Sequence, residues 1–185
     1  MRRVALTYDD GPNDGPTAAI LDVLEARGVQ ATFFVFGAKA RERPELIRRM
    51  VAAGHEVNPH TWADHRSHLE MSREELEDDV SRTLATLTDL GCPRPRHWRP
   101  PYGDVNEPLT REVAAAHGLA VITWTLDTVD WDTERTADLI LGEVEDLVEP
   151  DSVILMHDVP ETPRLTAGLL DRIAARGYAA GLLPA

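Results

Sequence analysis

The chain has 185 residues, 43% hydrophobic and 28% charged, a balance that one compact globular domain can bury and solvate. Its formal charge of −13 argues against nucleic acid and anionic membranes as partners, since both select basic surfaces, and no apolar run approaches the ~20 residues that cross a bilayer. The single cysteine, Cys92, excludes an intrachain disulfide and, within a Gly-Cys-Pro stretch, reads as inert.

In chain order, short apolar runs alternate with amphipathic stretches of helical period. A first strand is predicted over 4–8, directly after Met1-Arg2-Arg3. No apolar segment with a small-residue cleavage site precedes it, so the expectation is a cytoplasmic protein, or a secreted one whose leader lies outside this sequence. A helix near 16–27, a strand over 31–36, a helix near 42–53 and a strand over 55–58 follow. Next come a helix near 73–90, opened by Ser72 and Glu75 at capping-box spacing, a strand over 97–99 and a helix near 108–117. A strand over 119–126, a helix near 134–147, a strand over 152–157, a helix near 163–176 and a strand over 178–183 complete the chain. Strand–helix alternation implies parallel strands joined by right-handed crossovers, and near-continuous apolar runs imply strands buried on both faces. Seven strands in this order suggest a barrel-like or open α/β sheet over residues 1–185, with functional residues at the C-terminal strand ends.

The unusual polar clusters fall at those ends. Asp9 and Asp10 close the first strand, and the turn into Gly11-Pro12 can bring both carboxylates to one mouth, although adjacent strand residues point to opposite faces. His60 and His65 lie in a short polar loop; two histidines plus a carboxylate, with a position left for water, is a catalytic zinc pattern. Their separation of five turns the second side chain by ~140° on an ideal helix, so Asp64, four residues on, and His68 stay open as third ligands. Arg99-Pro100-Pro101-Tyr102-Gly103 is a stiff segment whose arginine can grip a carboxylate. Asp127-Thr128-Val129-Asp130-Trp131 and Met156-His157-Asp158 end the next two strands. Neighbouring parallel strands would place Asp127 near His157, where a carboxylate favours the charged imidazole that a proton donor needs.

Taken together, these motifs resemble the polysaccharide deacetylases, carbohydrate esterase family 4, which share the rhizobial chitooligosaccharide deacetylase (NodB) homology domain. The resemblance rests on Thr7-Tyr8-Asp9-Asp10-Gly11, on His60-Thr61 through His65, on Arg99 to Gly103, on Asp127 to Trp131, and on Leu155-Met156-His157, in order along nearly the whole chain. It implies a distorted seven-stranded (β/α) barrel, one catalytic domain spanning 1–185, and a hydrolase acting on the carbon–nitrogen bond of an N-acetylated sugar or another small acylated amine. It also implies a divalent metal, zinc first with cobalt or nickel as alternatives, held by Asp10, His60 and His65. By the same resemblance Asp9 is the general base and Arg99 orients it. The Tyr102 N–H helps to hold the oxyanion, and His157 is the general acid tuned by Asp127. Pro101, Tyr102, Trp131 and Leu155 line the substrate pocket. One extra residue separates the two metal histidines relative to the family pattern, which leaves the third ligand between His65 and Asp64.

Three other functions compete. A small-molecule N-deacylase or deformylase and an acetylxylan-type O-deacetylase would use the same chemistry. A catalytically inactive metal- or glycan-binding domain would keep the fold and lose turnover. The oligomeric state is not encoded in any pattern of the chain.

Overall fold

The computed structural model describes residues 2–63, 66–104 and 108–184. The chain runs through β1 (Arg3–Gly11), α1 (Pro16–Arg27), β2 (Thr32–Phe36), α2 (Gly37–Glu42), α3 (Pro44–Ala52), β3 (Glu56–Thr61) and α4 (Arg73–Asp89). It continues through β4 (His97–Trp98), α5 (Leu109–His117), β5 (Ala120–Val121), β6 (Leu126–Asp127), α6 (Ala137–Val144), β7 (Val153–His157), α7 (Thr162–Ala175) and β8 (Ala179–Gly181). One sheet has the order β3-β2-β1-β7-β6, and β8 pairs with residues 3–5 of β1, below the point where β2 begins its pairing at Thr7. β4 and β5 pair separately. They join the rest through Trp98 Nε1–H, which donates to the His60 carbonyl at 3.0 Å, and Arg99 N–H, which donates to the Pro59 carbonyl at 3.4 Å. Every strand pairing is parallel, so the strands share one C-terminal end, as a distorted (β/α) barrel requires.

β1 shows how the sequence builds this shape. Its residues are buried almost throughout, but its two faces differ. Val4, Leu6 and Tyr8 pack with Ile20, Leu21 and Leu24 of α1 and with Leu165, Leu169 and Ile173 of α7. Fully burying each such aliphatic side chain contributes roughly 1.5–3 kcal/mol. The alternate residues Ala5, Thr7 and Asp9 face the other way, where Ala5 meets Phe34 and Leu183, and the face turns polar towards the mouth. The outer face therefore anchors the sheet under helices while the inner face delivers chemistry.

The predicted elements form, with three differences. The run 119–126 splits into β5 and β6, because Arg99 takes the carbonyls of Ile122 (Nε, 3.4 Å) and Thr123 (Nη2, 3.0 Å) and pulls the intervening backbone away from the ladder. A short helix, α2, precedes the predicted helix near 42–53. It starts directly at the end of β2 on Gly37, where a Cβ would lie 2.6 Å from the Trp62 ring, so only glycine permits this close turn. The helix predicted near 134–147 shortens to α6, opened by the Thr136 side chain accepting the Leu139 N–H. The capping box before α4 is present in full: Ser72 Oγ accepts from Glu75 N–H, and the Glu75 carboxylate accepts from Ser72 N–H. Among the described residues no helix is long and apolar enough to cross a membrane.

Candidate active site and metal centre

The C-terminal strand ends surround a cleft of about 440 Å³ lined by Asp9, Asp10, His60, Tyr102, Trp124, Asp127, Trp131, Leu155 and His157. Asp9 and Asp10 reach it together because Asp10 adopts a left-handed conformation, with φ of 72°. The pairing of β1 with β2 slips at this point, between Asp9 and Gly11, so the second carboxylate leaves the strand alternation and turns back to the mouth. Side chains three elements away hold this bend. Lys39 Nζ on α2 donates to the Asp10 carbonyl at 2.8 Å and to Asn13 Oδ1 at 2.7 Å, and Asn13 Nδ2 donates to the Asp158 carbonyl at 2.9 Å. Burial holds the Lys39 ammonium below its ordinary pKa, against the opposing pull of Asp10 and Asp158. Asp158 accepts from the Thr17 hydroxyl and the Asn13 N–H, and burial pushes its carboxyl up to about 6 despite those bonds.

Arg99 is fully buried and its guanidinium is almost completely used. Nη1 donates to Asp9 Oδ1 and to Thr7 Oγ1, both at 2.8 Å, two residues that strand alternation sets on the same inner face of β1. The cation also lies over the Phe34 ring at 4.3 Å and near the Trp124 ring at 5.8 Å. The arginine thus fixes the orientation of the Asp9 carboxylate from behind and lies outside the cleft wall itself.

On the side expected to hold the metal, His60 Nε2 lies 3.4 Å from Asp10 Oδ1. His60 Nδ1 is 2.6 Å from the Arg99 carbonyl, an acceptor only, so this nitrogen carries a proton and Nε2 is the nitrogen that faces Asp10. An imidazole with one nitrogen anchored to a carbonyl and the other turned to a carboxylate is a donor set that fits a divalent ion such as zinc. Among the described residues no group of three histidine, cysteine or acidic side chains completes a cage. His65 and Asp64, the expected alternatives for the third ligand, lie outside the described residues. His68 does not join Asp10 and His60. It is fully buried 5.2 Å from the Trp98 ring centroid with neither ring nitrogen hydrogen-bonded, and burial, then the nearby His60, pulls its pKa down to about 4.

The acid side brings a correction. His157 sits in the cleft as expected, but its carboxylate partner is Asp130, not Asp127. His157 Nδ1 lies 2.8 Å from Asp130 Oδ1, and Asp130 also accepts from the His157 backbone N–H at 2.9 Å and from the Thr162 hydroxyl at 2.7 Å. Asp127 pairs across β6 and β7 with Leu155, two residues short of His157, and turns its own carboxylate to the Val129 N–H at 2.8 Å. Strand adjacency misleads here because the chain curls after β6 and carries Asp130 back beneath the ring. Burial of the ring disfavours its charged form, but the Asp130 hydrogen bond and charge, with Asp9 and Asp10 further off, outweigh it and raise the His157 pKa above its ordinary value. With Nδ1 committed to Asp130, Nε2 is the nitrogen that can serve the cleft.

The rim is aromatic. Tyr102 is 66% and Trp131 57% exposed, so both side chains meet solvent at the cleft, whereas Leu155, which also lines it, is buried. Tyr102 takes a left-handed backbone, φ 58°, inside the short turn Pro101–Gly103. Pro101 is buried within this turn and is not one of the residues that line the cleft. Trp124 does line it and was not anticipated. Its only sequence signal is a tryptophan near the end of a strand-like run, which a core residue would share. Lys39 carries no signal of its own, since its link to Asp10 spans 29 residues without a motif. Cys92 is half-buried away from the cleft, and burial raises its thiol to about 11, in keeping with an inert residue.

Comparison with known proteins agrees with this geometry. The polysaccharide deacetylase family profile matches residues 1–122. The peptidoglycan-N-acetylglucosamine deacetylase PgdA of Listeria monocytogenes serotype 1/2a (strain 10403S) is 35% identical over 181 residues, covering 96% of this chain. The chain spans only 37% of that relative's length. A chitooligosaccharide deacetylase of Bradyrhizobium sp. (strain ANU 289) is 42% identical over 162 residues, 85% of this chain and 71% of the relative. Among solved structures, the family 4 carbohydrate esterase from Streptomyces lividans in complex with acetate superposes with a TM-score of 0.90 at 33% identity, over 97% of this chain and 92% of that one. By sequence and by fold, the chain belongs to the polysaccharide deacetylase family.

Proposed function

We propose that this chain is a single catalytic domain that removes N-linked acetyl groups from amino-sugar polymers or oligomers of the chitin or peptidoglycan type, with a divalent metal, zinc in the first instance, held by Asp10, His60 and His65. The observation that carries this reading is the meeting of two ion-paired groups in one cleft: Asp9 of β1, held by Arg99, and His157 of β7, held by Asp130, with Asp10 and His60 lining the same cleft. When bound, the metal polarises the acyl carbonyl and lowers the pKa of water towards neutrality. Asp9, oriented by Arg99, accepts the proton of the attacking water. The Tyr102 N–H is assigned to the developing oxyanion, a donor worth ~3–4 kcal/mol in such sites. His157, kept protonated by Asp130, delivers its Nε2 proton to the departing nitrogen.

The exposure of Tyr102 and Trp131 favours an extended sugar over a small enclosed acylamine, because a sugar ring stacked at an open rim can belong to a chain that continues past the site. One panel tests the proposal: acetate release from acetylated chitooligosaccharides, N-acetylated peptidoglycan, acetylxylan and monomeric N-acyl amino sugars, with metal content measured in parallel. Release from the first two above the others is expected. Preferred turnover of the monomers would make the chain a small-molecule deacylase, preferred turnover of acetylxylan an O-deacetylase. No release by metal-loaded protein would make it a binding domain.

A further inference from the structure

Asp127 lines the cleft yet does not touch the proton donor, and the segment after it is unusual. Val129 adopts φ of 54°, a conformation that a β-branched side chain resists through clashes with its own backbone. Asp127 Oδ1 accepts the Val129 N–H at 2.8 Å, the two-residue side-chain turn that aspartate forms with its own backbone. On either side the loop is pinned. The Thr128 hydroxyl donates to the Leu155 carbonyl at 2.8 Å, and the Thr128 carbonyl accepts from Arg135 Nη1 at 3.2 Å. The next residue is Asp130, whose side chain is completely buried against His157 and Thr162.

We infer that Asp127 is a positioning residue: its carboxylate oxygen holds Val129 in the left-handed conformation, and this bend brings Asp130 beneath the ring of His157. An extended chain leaving β6 would carry residue 130 onward and away from β7; the left-handed residue reverses it within one step. Asp127 therefore acts through Asp130 and needs an acceptor oxygen, not a charge. The inference rests on the reading of His157 as proton donor, whose charged neighbours are Asp130 from the loop and Asp9 and Asp10 from β1.

Four variants at equal metal loading test it, read by the pH profile of amide hydrolysis on an acetylated chitooligosaccharide. Asp127→Ala should move the alkaline limb to lower pH and reduce alkaline activity at least ~10-fold, the consequence of weakening one carboxylate–imidazole contact. Asp127→Asn, which keeps an acceptor oxygen, should return the limb to its wild-type position. Asp127→Ala with Val129→Gly should return it too, because glycine adopts the bend unaided. Asp130→Asn serves as the reference. If it leaves the limb in place, the proton-donor reading fails. If it moves the limb and Asp127→Ala does not, the inference alone fails. An Asp127→Asn variant as impaired as Asp127→Ala, or a double variant that is not restored, would show that the charge of Asp127 acts directly in the cleft and would overturn the proposal. Should Asp127→Ala not fold, the Asn variant decides: a wild-type limb supports the inference and a displaced one overturns it.

Discussion

Replacing Asp130 with asparagine probes the coupling between a buried carboxylate and the proposed proton donor. Asp130 Oδ1 lies 2.8 Å from His157 Nδ1, and the Asp130 side chain is fully shielded from water. At an effective dielectric of ~20, opposite charges about 4 Å apart attract by ~4 kcal/mol, an upper bound near three pKa units. Opposite-charge contacts shift pKa values by about 1–3 units in practice, and asparagine retains a carbonyl that can still accept from Nδ1–H, so a fall of ~1–2 units is expected. The sign follows from the two states of the ring. Asp130 favours the imidazolium and extends it to higher pH; without the charge, burial dominates and the ring loses its proton earlier. The alkaline limb of kcat/KM for acetate release should therefore move to lower pH, and activity above the limb should drop ~10–100-fold. An activated acetyl ester has a better leaving group, so its hydrolysis should fall much less. Metal content must match between the proteins. A limb that stays in place, or equal losses on amide and ester, would refute the assignment of His157 as the acid.

Other outcomes follow from the same geometry. Arg99→Ala leaves the Asp9 carboxylate buried without its cation and should cost about 3–5 kcal/mol in denaturant unfolding; adding Asp9→Asn should recover part of that loss, far from additivity. Asp9→Asn alone should abolish turnover while metal stays bound, which elemental analysis and acetate release check together. His60→Ala and His65→Ala should each strip most of the metal and Asp64→Ala should not; full metal in His65→Ala would transfer the third ligand to Asp64. In metal-free protein, His68→Leu should stabilise the fold by ~1–3 kcal/mol, since it replaces a buried ring with two unpartnered nitrogens. The unfolded chain protonates His68 near pH 6.5 and the folded chain only near 4, so the wild type loses stability as pH falls through that window and the variant should lose less. Equal acid sensitivity of the two proteins in urea titrations would contradict this.

Much of this was legible in the residues because it depends on local chemistry. Period and punctuation mark the strands and helices, and the C-terminal ends of parallel strands collect Asp9, Asp10, His60, Arg99 and His157 whatever the loops do. The misreadings arise where backbone leaves ideal geometry. Regular strands put neighbours side by side, which points to Asp127 and not to Asp130, and nothing in a sequence announces a left-handed valine. The division of 119–126 into two strands depends on Arg99 capturing two carbonyls from a distance of more than twenty residues. Lys39 and Trp124 were missed because long-range tertiary contacts, not spacing, bring them to the site.

Asp9 and His157 are directly opposed in the ladder between β1 and β7. Adjacent strands sit ~4.8 Å apart, so the backbone separation of these two positions, the proposed proton acceptor and donor, is a lattice constant of the sheet. Tyr102 and Trp131, by contrast, ride on connecting segments outside that lattice. The molecule is thereby divided like a machine tool, with a fixed bed and an exchangeable chuck. On the proposed reading, changes at the rim alter which chain is held without retuning the proton transfer. An attempt to adjust the separation of these two positions must instead break a pairing in the interior of the sheet. Randomising the rim segments is thus the productive route to new substrates, and the amides of β1 and β7 should be the last to exchange with solvent in any active product of such a search.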